Sequence, residues 1–266
     1  MTTPTPVSDI PVVILCGGLG TRLREATERV PKPLVDIGDR PILWHIMKSY
    51  AAHGITDFVV CLGYKGYVVK EYFANYVLHR RNVTFDLATN SMELEEGEVE
   101  PWRVTLVETG RDTMTGGRLA AVLPILGDEP FCMTYGDGVA DVDVAALIAH
   151  HEREGRVATM TAVQPPARFG SVHVDGTRVV RFSEKEPVDG ALINGGFFVL
   201  SPDVRRYLSG APTDVWEQAP LERLTSDGEL TCYVHDGFWH PMDTIRDRRY
   251  LEELWRSGRA PWTTHW

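Results

Sequence analysis

An α/β fold, with helices covering a sheet of parallel strands, is predicted by three runs in the first eighty residues. Val12 to Leu15 is a short apolar run with no polar interruption, as in a strand buried on both faces. After Pro41, the apolar residues Ile42, Leu43, Ile46, Met47 and Tyr50 recur with the 3.6-residue period of a helix. Gly54 stands where that helix needs a left-handed stop. Phe58 to Leu62 reads as a second buried strand, and Gly63-Tyr64-Lys65-Gly66 leads into a helix expected to end near Tyr76.

The pattern then changes. Residues 83 to 110 contain an acidic run, Glu93 to Glu100, and a strand, Val104 to Val107, expected in an excursion or hairpin beside the main sheet. Phe131 to Tyr135 is another buried strand, running into Gly136-Asp137-Gly138. A helix over Val144 to Glu154 follows, with strands over Ala158 to Val163, Gly170 to Val174 and Gly195 to Leu200. The last third holds a helix around Glu217 to Thr225, a strand over Leu230 to Val234 and the segment Phe238 to Asp243. No repeat, low-complexity tract or linker divides the chain.

The 266 residues suffice for one sizeable core. A formal net charge of -10 argues against nucleic acid and anionic membrane as partners. Cys16, Cys61, Cys132 and Cys232 show neither metal-ligand nor redox-pair spacing, and each lies in or beside an apolar run, so buried thiols are expected. Residues 1–11 hold no Lys or Arg and no apolar core, so they read as a disordered leader rather than a signal peptide. No apolar stretch approaches the ~20 residues of a membrane helix, and a cytoplasmic protein is expected.

The first strand ends in Gly17-Gly18-Leu19-Gly20-Thr21-Arg22, where glycines let the backbone approach a ligand closely. Successive N–H groups in such a turn make a concave anion site. Lys32 follows between Pro31 and Pro33, whose fixed φ angles stiffen its loop. The run lacks the third glycine of a dinucleotide fingerprint and the lysine of a P-loop. Glycines alone would suit any tight turn. With Arg22 and Lys32 they offer what a nucleoside triphosphate needs.

Asp137 follows a buried strand between two glycines and can reach a divalent cation, whose usual ligands are carboxylates and substrate phosphates. Asp-Gly is also common turn chemistry. Asp243, after another strand, is a second candidate ligand, although aspartates often cap helices. Glu184-Lys185 and Asn194-Gly195 could receive sugar hydroxyls and a phosphate, or belong to a solvated charge cluster. Thr113 to Arg118 reads as a glycine turn carrying an arginine, either a reader of a base edge or a surface loop. No nucleophile elbow, zinc-binding H-E-x-x-H or Cys–His pair is present. A sugar phosphate with a second pKa near ~6 needs no general base at neutral pH, so charge neutralisation and positioning carry such a reaction.

GGLGTR followed by PKP, then GDG and EK, resembles the signature of the sugar-1-phosphate nucleotidylyltransferase family. PILWHIMKSYAAHGI, MTGGRL, YGDGVAD, INGGFFVL and GFWHPMDTIRD resemble its glucose-1-phosphate cytidylyltransferase branch, and the likeness runs from about Val12 to Trp262. The resemblance implies a Rossmann-like three-layer α/β/α fold with a mixed, mostly parallel central sheet, built by residues 12–266 as one domain. It implies Mg²⁺-dependent transfer of CMP from CTP to α-D-glucose 1-phosphate, with CDP-glucose and pyrophosphate as products. By position, Leu15, Cys16, Gly17, Gly18, Leu19, Gly20, Thr21 and Arg22 would cradle the nucleotide. Thr113, Gly117, Arg118, Gly136 and Asp137 would also contact it, and Arg22 and Lys32 would neutralise its phosphates. Asp137 and Asp243 fall at the metal positions, and Glu184, Lys185, Asn194 and Gly195 at the sugar-phosphate side. Arg22, Lys32 and Asp137 are the catalytic candidates. A homo-oligomer is also implied, with a hexamer as its expected size, and Trp255, Trp262 and Trp266 would dock on a neighbour or fold back on their own core.

Two features depart from the family pattern: Glu186 separates Lys185 from Pro187, and Cys16 replaces a smaller residue. The rivals are a relative using UTP or dTTP, a glycosyltransferase with Asp141-Val142-Asp143 as its metal motif, and a non-catalytic CTP-binding subunit.

Overall fold

The computed structural model describes residues 6–18, 23, 27, 30–165, 171–175, 178–183 and 192–266. In chain order, the first half supplies β1 (Val12–Leu15), α1 (Ile42–Ala51), β2 (Asp57–Leu62), α2 (Gly66–Ala74) and β3 (Arg103–Glu108). Next come α3 (Thr115–Leu126), β4 (Phe131–Tyr135), β5 (Gly138–Ala140), α4 (Val144–Glu154) and β6 (Ala158–Val163). The chain continues with β7 (Ile193–Leu200), α5 (Ala219–Ser226), β8 (Leu230–His235), β9 (Trp239–Pro241) and α6 (Ile245–Arg256).

Seven strands form the main sheet in the order β8-β6-β7-β4-β1-β2-β3. The pairs β1–β2, β1–β4, β2–β3 and β6–β8 are parallel, while β7 runs antiparallel to both its neighbours. The expected mixed, mostly parallel sheet is therefore present. Alternation along β1 shows why it is central: Val12 and Ile14 enter one apolar cluster, Val13 and Leu15 the other. Helices α1, α4 and α6 bring Met47, Leu147 and Leu251 to the first cluster. Helices α3 and α5 bring Leu119 and Leu224 to the second, giving three layers. Strands buried on both faces need such two-sided cover.

Several expectations are corrected. Val104 to Val107 lies not in a hairpin but in β3, the sheet edge, paired with β2 from Asp57↔Arg103 to Leu62↔Glu108. The nearby hairpin is Val83–Asp86 with Ser91–Leu94. Thr113 to Arg118 is not a turn: Thr115 opens α3, which tolerates Gly116, Gly117 and an internal Pro124. The strand expected from Gly170 is Ser171–Asp175, paired with Arg178–Ser183 outside the main sheet. Helix α2 stops at Ala74, and a short helix Tyr76–Arg80 follows. Order begins before residue 12, since Val7–Asp9 forms a 3-10 turn and Ile10 is buried. Cys232 is exposed because it sits on edge strand β8, whereas the other three thiols are buried. No helix among the described residues is long and apolar enough to cross a membrane.

The C-terminal tryptophans pack on their own chain. His45 of α1 lies at the centre, with Trp255, Trp262 and Trp266 rings 4.6, 5.9 and 5.9 Å away. Its Nε2–H donates to the Ile37 carbonyl at 2.9 Å, so Nδ1 accepts from Trp262 Nε1 at 3.2 Å. Both ring nitrogens are matched only in the neutral state. Burial lowers the His45 pKa to about 4. Burial, with His150 nearby, does the same for His151, which bonds Thr159 and Ser201.

A folded pKa below the ordinary 6.5 means the unfolded chain takes up these protons first as pH falls. The contribution of these two histidines to stability is present above pH 6.5 and is lost as pH falls towards 4, by at most about 3 kcal/mol each. The thermal midpoint should therefore be clearly lower at pH 5 than at pH 7. An unchanged midpoint would contradict the neutral-histidine assignment.

Candidate active site

In-register pairing brings the carboxyl ends of β1, β2 and β4 level, with Leu15 opposite both Cys61 and Tyr135. Ligand sites in open α/β sheets lie beyond such ends, where successive connections leave to opposite sides. A cleft of about 590 Å³ occurs there, lined by Leu15, Gly17 and Gly18 at the end of β1 and by Tyr135 and Asp137 at the end of β4. Lys32, Thr113, Arg118 and Asp243 stand in its polar wall. A smaller hollow of about 450 Å³, bounded by Arg40, Tyr72 and Tyr76, reaches none of these residues.

At the cleft, Lys32 Nζ donates to Asp137 Oδ2 at 2.7 Å and to Asp243 Oδ1 at 2.8 Å. Three remote segments must meet to make this arrangement. Lys32 opens a 3-10 turn closed by bonds from Leu34 N to Pro31 O and from Val35 N to Lys32 O. Asp137 is set by Gly136, whose N–H bonds Leu15 O. A Cβ at Gly136 would stand 2.7 Å from Cys16 Sγ, so only glycine lets the two loops touch. Asp243 arrives on the β5–β9 ladder, reinforced by a bond from Met242 N to Asp137 O at 2.7 Å. Just beyond it, Thr244 and Asp247 form a capping box that starts α6. Burial works against the Lys32 charge, but Asp137 and Asp243 outweigh it, so the lysine pKa is raised and the ammonium persists.

Arg118 lines the cleft from α3, yet its guanidinium is committed to the protein. Nη1 donates to Leu62 O, Thr109 Oγ1 and Gly110 O, and Nη2 to Gly17 O and Arg111 O, all within 3.2 Å. It thereby ties the end of β2 and the 109–111 turn to the glycine loop. Gly17 and Gly63 make room, since a Cβ at either would fall 1.9 or 2.7 Å from the guanidinium. Gly117 serves close packing too, because a Cβ there would meet Ala211 O at 2.7 Å. Thr113 lies at the cleft. In β7, Asn194 stands next to Tyr135, with its Nδ2 3.4 Å from the Tyr135 hydroxyl, and Gly195 follows it, packed against Val163 of β6. Leu19, Gly20, Thr21, Arg22, Glu184 and Lys185 lie outside the described residues.

The two carboxylates of Asp141-Val142-Asp143 go to separate partners. Asp141 pairs with His235 at 2.9 Å, and Asp143 caps α4 through a bond from Ala146 N. Tyr135, Thr115 and Arg111 also line the cleft and were not anticipated. Tyr135 could have been suspected, as the last residue of a strand leading into Gly-Asp-Gly. Nothing in sequence spacing singles out Thr115 or Arg111.

A family model described as nucleotidyl transferase matches residues 11–244. The chain belongs to the nucleotidyl transferase family. This nucleotidyl transferase is 57% identical over 253 residues to the glucose-1-phosphate cytidylyltransferase of Salmonella typhi, covering 95% of this chain and 98% of that one. It is 32% identical to the mannose-1-phosphate guanyltransferase of Aspergillus fumigatus, over 90% of this chain and 62% of that protein. In fold it is similar to HddC from Yersinia pseudotuberculosis, with a TM-score of 0.67, 22% identity and coverage of 92% and 99% of the two chains.

The two neighbouring glycines of the loop should behave differently when given a methyl group. Gly17→Ala drives a Cβ into Arg118, whereas a Cβ at Gly18 meets nothing within 4 Å. Denaturant unfolding should show Gly17→Ala destabilised by about 1–3 kcal/mol and Gly18→Ala within about 0.5 kcal/mol of the parent. Equal stability of the two variants would show that Arg118 does not anchor the loop.

Proposed function

We propose that this nucleotidyl transferase moves CMP from CTP to α-D-glucose 1-phosphate, forming CDP-glucose and pyrophosphate. The observation that carries the reading is the ammonium of Lys32 held between Asp137 and Asp243 beside the glycine loop. The 57% identity to a protein with that named activity supports the choice of substrates.

A phosphate oxygen of glucose 1-phosphate attacks the α-phosphorus of CTP and forms the new P–O bond. The bond from that phosphorus to the oxygen bridging the β-phosphate breaks, and its electron pair leaves on pyrophosphate. No proton has to be removed, because the attacking phosphate is largely dianionic at neutral pH. The main barrier is bringing two anions together. Lys32 answers it with a fixed positive charge, and the backbone from Leu15 to Gly18 offers a close approach to the triphosphate. Thr113 contributes from the nucleotide side of the cleft, and Asn194 from the sugar side.

Asp137 and Asp243 converge on one cationic nitrogen with hard carboxylate oxygens, which is the donor chemistry that suits Mg²⁺. Among the described residues no cluster of three or more protein ligands is present, so phosphate oxygens and water would complete the shell. When bound there, Mg²⁺ would neutralise triphosphate charge and polarise the α-phosphate.

Pyrophosphate release should be measured with glucose 1-phosphate and each of CTP, UTP, dTTP and ATP in the presence of Mg²⁺. The expected result is release confined to CTP, reduced about 100-fold or more in Asp137→Ala with unchanged circular dichroism. Equal release from UTP or dTTP would remove the cytidylyl assignment. CTP binding without turnover would make the protein a binding subunit instead.

A further inference from the structure

Tyr135 and Thr115, which both line the cleft, are joined through Glu217 by hydrogen bonds whose donors and acceptors can all be assigned. Thr115 Oγ1 accepts from Trp216 N–H at 3.0 Å, so its own proton goes to Glu217 Oε2 at 2.6 Å. The Tyr135 hydroxyl donates to Glu217 Oε1 at 2.5 Å. With that proton committed, the Tyr135 oxygen can only accept, and Asn194 Nδ2 lies 3.4 Å away. Asn194 Oδ1 is itself taken by Gly196 N–H at 2.8 Å. The Gly196 bond sets the amide orientation and the longer Tyr135 contact favours the same one, so Asn194 keeps one N–H, not its carbonyl, for anything bound beside it.

Backbone geometry supports the same orientation. The β6–β7 register shifts between Met160 and Ala162, opposite Gly195-Gly196. Gly196 has φ +80°, and a Cβ there would stand 2.6 Å from the Tyr135 ring. Gly195 O accepts from Trp239 Nε1 at 2.6 Å, which clamps the bulge from the segment leading to Asp243. Trp216, where the chain of bonds ends, is wholly buried. The bonds thus run from buried Trp216 and from Thr115, at the start of α3, to Asn194, which the proposed function puts on the sugar side. Burial and the Glu217 charge raise the Tyr135 pKa, so the phenol keeps its proton throughout the working range.

We propose that Tyr135 and Glu217 are positioning residues that hold Asn194 as a hydrogen-bond donor to the hexose 1-phosphate, with Thr115 locking the carboxylate in place. Neither residue exchanges a proton with substrate. Their role is to fix which way the amide points, so that a hydroxyl or phosphate oxygen acting as acceptor is selected. The proposal rests on the sugar-phosphate reading of the cleft given above.

Steady-state kinetics on the full chain, with glucose 1-phosphate and CTP varied in turn, test it. Tyr135→Phe and Glu217→Ala should each raise KM for glucose 1-phosphate about threefold or more, as loss of one modest hydrogen bond does. KM for CTP should stay within about twofold, because Thr113 and the glycine loop are untouched, and a merely structural defect would not separate the two constants. Glu217→Gln keeps an acceptor for Tyr135 and should recover part of the loss, while the Tyr135→Phe/Glu217→Ala pair should be no worse than either alone. Unchanged KM for glucose 1-phosphate in both single variants, with an active parent, would overturn the positioning role alone. A parent that releases no pyrophosphate from CTP and glucose 1-phosphate would overturn the functional reading and this one with it. Should Tyr135→Phe fail to fold, the exposed Glu217 carries the test by itself.

Discussion

The ammonium of Lys32 is shared by two carboxylates that lie 105 and 211 residues further along the chain. A partly buried lysine has to be paired, and two neighbouring aspartates repel unless a cation stands between them. Each group therefore requires the others. Meeting that requirement fixes where the Pro31–Pro33 loop, the end of β4 and the approach to α6 must lie. The glycines around it follow from the same constraint. Gly136 lets Asp137 reach the floor of the cleft, and Gly17 admits the Arg118 guanidinium that secures the loop above it.

This division of labour separates binding charge from structural charge. Arg118 and Lys32 both border the cleft, and both would be counted as phosphate ligands by charge alone. Arg118 donates to four backbone carbonyls and one hydroxyl, so its charge is absorbed in joining three loops. Lys32 instead faces carboxylates, whose affinity for cations makes the same spot suitable for Mg²⁺ and triphosphate. With two carboxylates to one ammonium beyond the ends of β1 and β4, a chain of net charge -10 would need a divalent cation there to balance an anionic substrate.

The sheet was legible because its strands are uninterrupted apolar runs, which Val12–Leu15 and Phe131–Tyr135 illustrate. Helix α3 was not, since Gly116, Gly117 and Pro124 suppress helix propensity, and close packing on residues 211–214 is what makes glycine necessary there. Helix α6 was also missed, although the Thr244–Asp247 spacing is a capping signal. At the site, Lys32, Asp137 and Asp243 were identifiable from their flanking prolines, glycines and strand ends. Their convergence on one nitrogen was not, because spacing of 105 and 211 residues carries no geometric information. Glu217 was invisible for the same reason: its partners Thr115 and Tyr135 lie 102 and 82 residues away.

A double-mutant cycle on Lys32→Met and Asp137→Asn, by denaturant unfolding in EDTA, tests most directly whether these charges form one unit. Lys32→Met leaves Asp137 and Asp243 facing each other unscreened, and adding Asp137→Asn relieves that repulsion. The account predicts a double variant more stable than the sum of the single losses by at least about 1 kcal/mol. Additive losses would contradict it, and would mean that the lysine and the two aspartates are held in place independently of one another.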